Sequence, residues 1–342
     1  MLDLIKWYYN SSPFTEDEKV LLNTLRTPDI EYNDIDYKEL TQQYFDRMPF
    51  CNLTSDDRYI TFDESGTALI DKVFEKEVDD DTLIISTVFE HSSVKKYLNG
   101  SNTLLFQSID DMRHCDYDII IEKAKQYKKV FVYIIGTRID TGEIIPQWFL
   151  EELKQILDSN NIENKMMLDD VHGMFVVPRD YSMFDYVLYT AHAIVLKYEM
   201  GLLISKTNDI GKRAYNWGKE YLEKLDILLK RKDKMEQMVY ILTHYFNKMV
   251  LTSPYLDFYK QTVGHIFSIK TTDLYFSEKD LEELNEKYMI ENSNNDKPKE
   301  NWLRWRFQEF ITLSEEEVVN GIKLLEKVLK RAIMMSRMKE GQ

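Results

Sequence analysis

The sequence is poor in cysteine and has no long apolar run, and both shortages exclude classes of protein. Its 342 residues include two cysteines, Cys51 and Cys115, which argues against a disulfide scaffold or a cysteine-built metal site and favours a reducing compartment. No run of about 18 apolar residues is present, so we expect no membrane-spanning helix. The first residues lack a basic stretch followed by an apolar one, so no secretory signal is expected. These features predict a cytoplasmic protein with no membrane partner.

Basic residues are also scarce relative to acidic ones. The chain has 44 Lys and Arg against 59 Asp and Glu, which gives a formal net charge of −15. A nucleic-acid partner would require a local basic face, and no basic run in the sequence provides one. Hydrophobic residues make up 44% of the chain, a globular composition, and the length suffices for one large domain and a smaller one.

Short apolar runs rich in β-branched and aromatic residues alternate with amphipathic segments in the middle of the chain. The runs cover residues 82–87, 129–136, 165–168 and 186–190, and the amphipathic segments include 119–128 and 147–158. Strands that alternate with helices predict an α/β fold with a mainly parallel sheet and helices on both faces.

The ends of the chain differ from this middle part. We predict an N-terminal arm or lid at 1–50, a large α/β domain at 51–210, and a connecting helix with a small C-terminal α+β domain at 211–342. In the last region Ser277 is a candidate N-cap, and Ser314 and Glu317 have the spacing of a capping box.

Ligands of open parallel sheets bind beyond the carboxyl ends of the strands, so the residues that follow each strand are candidates for a site. Ser65, Gly66 and Thr67 open an amphipathic helix, where free backbone N–H groups and the helix dipole favour a phosphate group. The same residues are common helix caps, so this motif alone is weak. His91 follows the strand at 82–87, where it can stack on an aromatic ligand or lie on the surface.

Acidic residues and histidines follow two later strands. Asp169, Asp170 and His172 come directly after one strand, where a carboxylate can bind a protonated ring nitrogen. A metal site is the competing interpretation, because Asp and His are both metal ligands. Thr190 ends the next strand, and His192 lies in the turn after it. The alternative for the first group is an aspartate helix cap with a packed histidine. The alternative for the second is a histidine packed at the end of a strand.

Taken in order, these four groups resemble the fold-type I pyridoxal-phosphate (PLP) enzymes, the aspartate aminotransferase superfamily. The resemblance spans roughly residues 60–335. Its most specific part is Asp-Asp-Val-His-Gly at 169–173, which resembles the α-oxoamine synthase and class V aminotransferase branches. The segment 136–146 resembles an Asn-Pro-x-Thr-Gly-x-Ile element, although Arg138 and Ile139 occupy the Asn-Pro places. The 11 glycines are few for this superfamily and indicate a divergent member.

The resemblance implies a role for each candidate residue. The cofactor would be PLP, and Ser65, Gly66 and Thr67 would hold its phosphate. Its ring would stack on His91, its ring nitrogen would pair with Asp169, and its 3′-oxygen would contact His172. Thr190 and His192 would also lie at the cofactor. Arg304 would bind the carboxylate of the substrate, and Arg306 is its nearest rival. A homodimer is also implied by the resemblance.

The sequence departs from the family at the lysine that forms the Schiff base. The turn 190–193 aligns with the Ser-x-His-Lys pattern of cysteine-desulfurase-like enzymes, and Ala193 then occupies the lysine position. An alternative alignment places Val195 there. Either the chain is a Lys-to-Ala variant, or it naturally lacks the lysine, or Lys197 or Lys206 has taken the role.

Several functions are compatible with this pattern. The simplest is a PLP-dependent transferase that acts on an amine or amino acid, namely an aminotransferase. A decarboxylase of the same fold and a lysine-less, non-catalytic subunit are alternatives, and a desulfurase is less favoured because no cysteine lies in the late part of the chain. A metal hydrolase that uses Asp169, Asp170, His172 and His192 would leave Ser65–Thr67 and Arg304 unexplained, so no metal is expected.

Overall fold

A computed structural model of the chain describes residues 15–22, 34–48, 51–138, 141–173, 177–190, 200–211, 215–258, 266–294, 300–306 and 313–340. The chain divides into two compact units. The larger unit comprises Thr24–Arg138 and Ile144–Asp226, and the smaller comprises Met1–Asn23, Ile139–Glu143 and Ile227–Gln342.

A seven-stranded sheet with the order β1-β7-β6-β5-β4-β2-β3 forms the core of the larger unit. Its strands are β1 Tyr59–Asp63, β2 Thr82–Thr87, β3 Thr103–Phe106, β4 Lys129–Ile135, β5 Glu163–Asp169, β6 Tyr186–Thr190 and β7 Gly201–Ser205. Strands β3, β2, β4, β5 and β6 pair in parallel, whereas β7 is antiparallel to both of its neighbours. This arrangement confirms the mainly parallel α/β sheet that the sequence predicts.

Amphipathic helices cover the sheet because their apolar residues recur at helical spacing. Helix α3 buries Leu69, Ile70, Val73 and Phe74 in a core that also contains strand residues, and full burial of such side chains contributes about 1.5–3 kcal/mol each. The helices of this unit are α2 Asp34–Arg47, α3 Gly66–Glu77, α4 Ser92–Lys95, α5 Ile109–Arg113, α6 Tyr117–Ala124, α7 Gln147–Ser159 and the first part of α8 Tyr215–Leu251.

The smaller unit contains a four-stranded antiparallel sheet with the order β10-β11-β9-β8. Its elements are α1 Glu16–Leu22, the rest of α8, β8 Leu256–Phe258, β9 Ile266–Thr272, α9 Glu278–Tyr288, β10 Glu291–Asn294, β11 Glu300–Arg306 and α10 Glu315–Glu340. The predicted caps are present: Ser277 accepts a hydrogen bond from the Asp280 N–H, and Ser314 and Glu317 bond each other reciprocally. Among the helices that the structure describes, none is both long and apolar enough to cross a membrane.

The register of the larger sheet brings the ends of several strands to one edge. Ile135 at the end of β4 lies opposite Asp169 at the end of β5. Gly201, the first residue of β7, lies between Thr190 at the end of β6 and Asp63 at the end of β1. Residues that follow β1, β2, β4, β5 and β6 therefore meet at one edge, where a ligand of an open parallel sheet binds.

Candidate active site

Helix α3 begins at this edge directly after β1, and its first residue packs closely against β6. The Ser65 hydroxyl caps the helix by accepting a hydrogen bond from the Ala68 N–H at 3.1 Å, while its own proton stays available. Gly66 is buried, and a Cβ there would lie 2.5 Å from Cγ2 of Thr190. Thr67 is exposed. The helix start therefore presents backbone N–H groups and two hydroxyls, the groups that bind phosphate at helix N-termini.

Thr190, at the end of β6, packs against the start of α3. Its side chain is 4% exposed, and its Oγ1 atom has no hydrogen-bond partner within the part of the chain that the structure describes. Leaving a buried hydroxyl without a partner costs about 1–3 kcal/mol. A hydrogen-bonding ligand at the start of α3 would remove that cost.

Asp169 is a buried carboxylate with a defined orientation. The Tyr133 hydroxyl donates to its Oδ2 atom at 2.8 Å, and the Val171 N–H donates to its Oδ1 atom at 3.3 Å. Burial raises the pKa of Asp169, and the bond from Tyr133 opposes that rise. A cation beside Asp169 would stabilise its charged form, as a protonated ring nitrogen does.

Asp170 has a different environment from its neighbour. Tyr181 donates to it at 2.7 Å, and Arg179 lies 3.5 Å away in an ion pair in which both side chains are almost fully buried. The Arg179 guanidinium also donates to the carbonyl oxygens of Gly136 and Ile145. Burial raises the pKa of Asp170, and Arg179 opposes that rise. Arg179 therefore joins the loop after β4 to Asp170 in the loop after β5.

Two of the three predicted histidines are described, and they differ in exposure. His91 is exposed and caps the short helix α4, its Nδ1 atom accepting from the Ser93 N–H at 3.3 Å. His172 is buried, with 4% of its surface exposed, three residues after Asp169. His91 can cover a planar ligand at the edge of the sheet, and His172 lies in the same loop as Asp169. Within the described residues no group of three or more His, Cys, Asp or Glu side chains is arranged to hold a metal ion.

Glu90 is a second buried carboxyl group at this edge, and the sequence reasoning missed it. It is 3% exposed and accepts hydrogen bonds from the Thr87 hydroxyl and from the Ile135 N–H, the latter at 3.1 Å. Burial raises its pKa to about 8, and the charge of Asp169 contributes to the rise. The sequence shows only that Glu90 precedes the candidate His91. An exposed surface glutamate would have the same position in the sequence, so the pattern does not predict the burial of Glu90.

Arg304 lies on β11 in the smaller unit. Its Nε atom donates to Glu291 Oε2 at 2.7 Å, and its Nη2 atom also bonds that carboxylate across the β10–β11 pair. Its guanidinium charge is thus partly neutralised by Glu291.

Two predicted positions, His192 and Ala193, lie outside the described residues, as do Val195 and Lys197. Lys206 is described and lies at the other end of the sheet, where its ammonium bonds Asp185 at 3.1 Å just before β6 begins. Five strand residues separate Asp185 from the end of β6, about 17 Å at the usual rise of a strand. The interpretation that Lys206 replaces the missing lysine is therefore wrong.

Comparison with known proteins gives structural matches only. No family model and no curated protein matches the sequence. A NifS-like protein from Rickettsia africae matches with a TM-score of 0.68 at 14% identity, covering 94% of this chain and 98% of that one. A PLP-dependent aminotransferase from Streptococcus suis matches with a TM-score of 0.64 at 14% identity, covering 97% and 91%.

A third match is a variant of a known protein. It is a C-DES lysine-to-alanine mutant with glycine covalently linked to its PLP cofactor, with a TM-score of 0.59 at 15% identity, covering 94% of this chain and 91% of that one. The matches extend over nearly the whole of each chain and agree with the seven-stranded sheet and small antiparallel sheet. The chain therefore has the fold of the fold-type I PLP-dependent enzymes.

Proposed function

We propose that this chain binds PLP at the carboxyl edge of the seven-stranded sheet and is a PLP-dependent transferase that acts on an amine or amino acid. The observation that carries the proposal is the pairing of two features at one edge. One is the start of α3, with the unpartnered hydroxyl of Thr190 against Gly66. The other is the buried carboxylate of Asp169, oriented by Tyr133. The first fits a phosphate and the second fits a protonated aromatic nitrogen.

Each part of the cofactor has a residue whose chemistry suits it. The backbone N–H groups of α3 and the hydroxyls of Ser65, Thr67 and Thr190 would bind the phosphate. Asp169 would hold a proton on the ring nitrogen, His91 would stack on the ring, and His172 would contact the ring oxygen. When bound, PLP supplies an electron sink for bonds at the α-carbon of an amine substrate.

The alanine at position 193 determines what this chain can do with the cofactor. Binding through the phosphate and ring requires no lysine, and the match to a lysine-to-alanine mutant with glycine linked to its PLP supports this separation of binding from turnover. Without a lysine at position 193, the place that aligns with the Schiff-base lysine of the family offers no amine for the covalent link or for moving the substrate proton. We propose that the present chain binds the cofactor and turns over poorly.

The test is to add PLP to the chain and to its Ala193→Lys variant. We expect both proteins to bind PLP, and we expect only the variant to develop the absorption of a Schiff base. Borohydride reduction followed by peptide mass spectrometry should place the pyridoxyl group on residue 193. A matched Ala191→Lys variant should give no specific label. Failure of both chains to bind PLP would refute the proposal.

Transamination is the simplest reaction for this site, and decarboxylation by the same fold is its rival. Incubating the Ala193→Lys variant with candidate amino acids separates them, because transamination yields a keto acid and decarboxylation releases carbon dioxide.

A second candidate function follows from Ala193 itself, namely a PLP-fold subunit that has no catalytic activity and pairs with a lysine-bearing homologue. Recovery of the chain from its source as a stable complex with such a homologue would favour this alternative. A pure homodimer of the present chain that turns over substrate would exclude this alternative, and a homodimer is the assembly that we propose on the family resemblance.

A further inference from the structure

Two buried carboxyl groups flank the end of β4. Asp169 lies opposite Ile135 in the β4–β5 register, and Glu90 accepts a hydrogen bond from the N–H of the same Ile135. Strands in a sheet are about 4.8 Å apart, so the two carboxyl groups lie on either side of one strand end. Both are at least 95% buried.

We propose that Glu90 is a positioning residue that forms a charge-sharing pair with Asp169, staying protonated at neutral pH so that Asp169 alone carries the negative charge that holds the ring nitrogen of PLP. This inference rests on the proposed function, because it assigns the partner of the residue that would bind the ring.

A positive charge, and not the hydrogen bonds, favours this division of charge. Asp169 accepts from the Tyr133 hydroxyl and the Val171 N–H, and Glu90 accepts from the Thr87 hydroxyl and the Ile135 N–H, so the bonds oppose protonation of either group. The positive form of His91 would favour the charged state of Asp169, whereas no basic group of the described residues is among the main influences on the pKa of Glu90. Two like charges in a low-dielectric site disfavour each other, so one group keeps its proton.

Asp170, Arg179 and Arg138 are further charged groups of the described residues near the pair. Asp170 adds a further negative charge beside Asp169, and Arg179 faces Asp170. Arg138 lies over the ring of Phe89, the residue before Glu90, with its guanidinium carbon 4.4 Å from the ring centroid. Burial raises the pKa of Glu90 to about 8, which places its titration just above neutral pH.

The pair predicts a definite dependence on pH. Below about pH 8 Glu90 is neutral and resembles a glutamine in charge. Above that pH it adds a second negative charge near the ring nitrogen, which makes that nitrogen more basic and keeps it protonated. The wild-type chain should therefore hold a ring cation at alkaline pH better than a chain with glutamine at position 90.

Pyridoxamine 5′-phosphate is the appropriate probe because it requires no lysine. Its dissociation constant should be measured at pH 6, 7.5 and 9 for the wild-type chain, Glu90→Gln and the control Glu75→Gln, which changes an exposed helix residue by the same charge. The ratio of the Glu90→Gln constant to the wild-type constant should be near one at pH 6. It should rise to the order of tenfold at pH 9, the effect of one pKa unit of coupling. The Glu75→Gln ratio should stay near one.

The apoprotein gives an independent readout that requires no cofactor. Because the pKa of Glu90 is raised on folding from the usual 4.5 to about 8, its contribution to stability is fully present below about pH 4.5 and is lost as the pH rises through 8. Unfolding in urea should therefore show Glu90→Gln gaining stability relative to wild type between pH 5 and pH 8.5.

The outcomes separate the inference from the function on which it rests. A ratio that does not change with pH, while pyridoxamine phosphate binds, would overturn the role of Glu90 and leave the proposed function intact. No binding by any variant at pH 6 would overturn both. If Glu90→Gln does not fold, Thr87→Val replaces it: loss of the Thr87 hydrogen bond raises the pKa of Glu90, so the alkaline weakening of binding should begin at a lower pH than in wild type. An unchanged onset would refute the inference.

Discussion

At the scale of single residues, the candidate site is defined by a glycine, a buried hydroxyl without a described partner and a carboxylate that hydrogen bonds orient. Gly66 lacks a side chain that Thr190 would obstruct, and Thr190 lacks a partner for its hydroxyl among the described residues. Asp169 is held by Tyr133. The sequence identified Gly66, Thr190 and Asp169 but missed Tyr133, because a tyrosine inside a strand reads as core. The bond that orients the carboxylate depends on strand register, which composition and periodicity do not determine.

The unpartnered hydroxyl of Thr190 leads to a prediction with opposite effects on stability and binding. Thr190→Val removes a buried hydroxyl without changing the shape, so the apoprotein should be as stable as wild type or about 1 kcal/mol more stable. Binding of pyridoxamine 5′-phosphate should weaken by roughly tenfold, because a hydrogen bond to a charged group is worth about 1.5–3 kcal/mol. Urea unfolding and calorimetric titration measure the two effects.

Thr61→Val is the matched control for this experiment. Thr61 is also fully buried, and its hydroxyl has no partner among the described residues, but it lies two residues before the end of β1, opposite Leu203. Its replacement should leave binding unchanged. Equal weakening of binding in both variants would contradict the assignment of Thr190 to the phosphate.

At the scale of helices and strands, many of the elements could be predicted from the sequence. The side-chain bonds that join one loop to another could not. The strands β2 and β6 have the extent that the apolar runs predict, β4 ends one residue before its run does, and helix α9 begins directly after the predicted cap Ser277. The short strand β3, with four residues of which three are half-buried, carries too weak a pattern to predict. The sequence also does not show that Arg179 joins the loops after β4 and β5, since its partners are two carbonyl oxygens and an aspartate distant in sequence.

The Arg179–Asp170 pair should therefore be important for stability. Arg179→Met leaves the buried Asp170 charge without its cation and frees two carbonyl groups, which should cost about 3–5 kcal/mol of unfolding free energy. Arg113→Met removes an exposed pair with Asp110 and should cost less than about 1 kcal/mol. Urea denaturation of both variants tests this. Similar small losses would show that Arg179 has no special role in joining the loops.

At the scale of the whole molecule, the fold follows from the alternation of strands and helices, whereas the position of the substrate does not. No family model matches the sequence, whereas the fold is similar to that of a chain only 14% identical, so very different sequences form the same architecture. Arg304 illustrates the limit of a motif-based role: its ion pair with Glu291 depends on the β10–β11 pairing, which resemblance to a family motif does not reveal.

Ligand-induced stabilisation should distinguish cofactor binding from recognition of the substrate carboxylate. At a concentration of 100 times its dissociation constant, pyridoxamine 5′-phosphate should raise the unfolding free energy by about 2.7 kcal/mol. A reduced phosphopyridoxyl-alanine adduct should bind more tightly than pyridoxamine phosphate, because it adds a carboxylate. If Arg304 receives that carboxylate, Arg304→Met should abolish the difference and leave binding of pyridoxamine phosphate unchanged. If Arg306→Met abolishes the difference instead, Arg306 binds the substrate carboxylate.

The antiparallel direction of β7 has a consequence for any attempt to restore or redesign activity. Because Thr190 and Gly201 are direct neighbours in the sheet, the two residues that flank positions 191–200 are fixed one strand spacing apart beside the start of α3. A lysine introduced between them in sequence is therefore held near that edge by two anchor points, which gives it a high effective concentration there. A lysine scan of positions 191–200 would thus sample reactive geometries while Ser65, Asp169 and Thr190 stay unchanged.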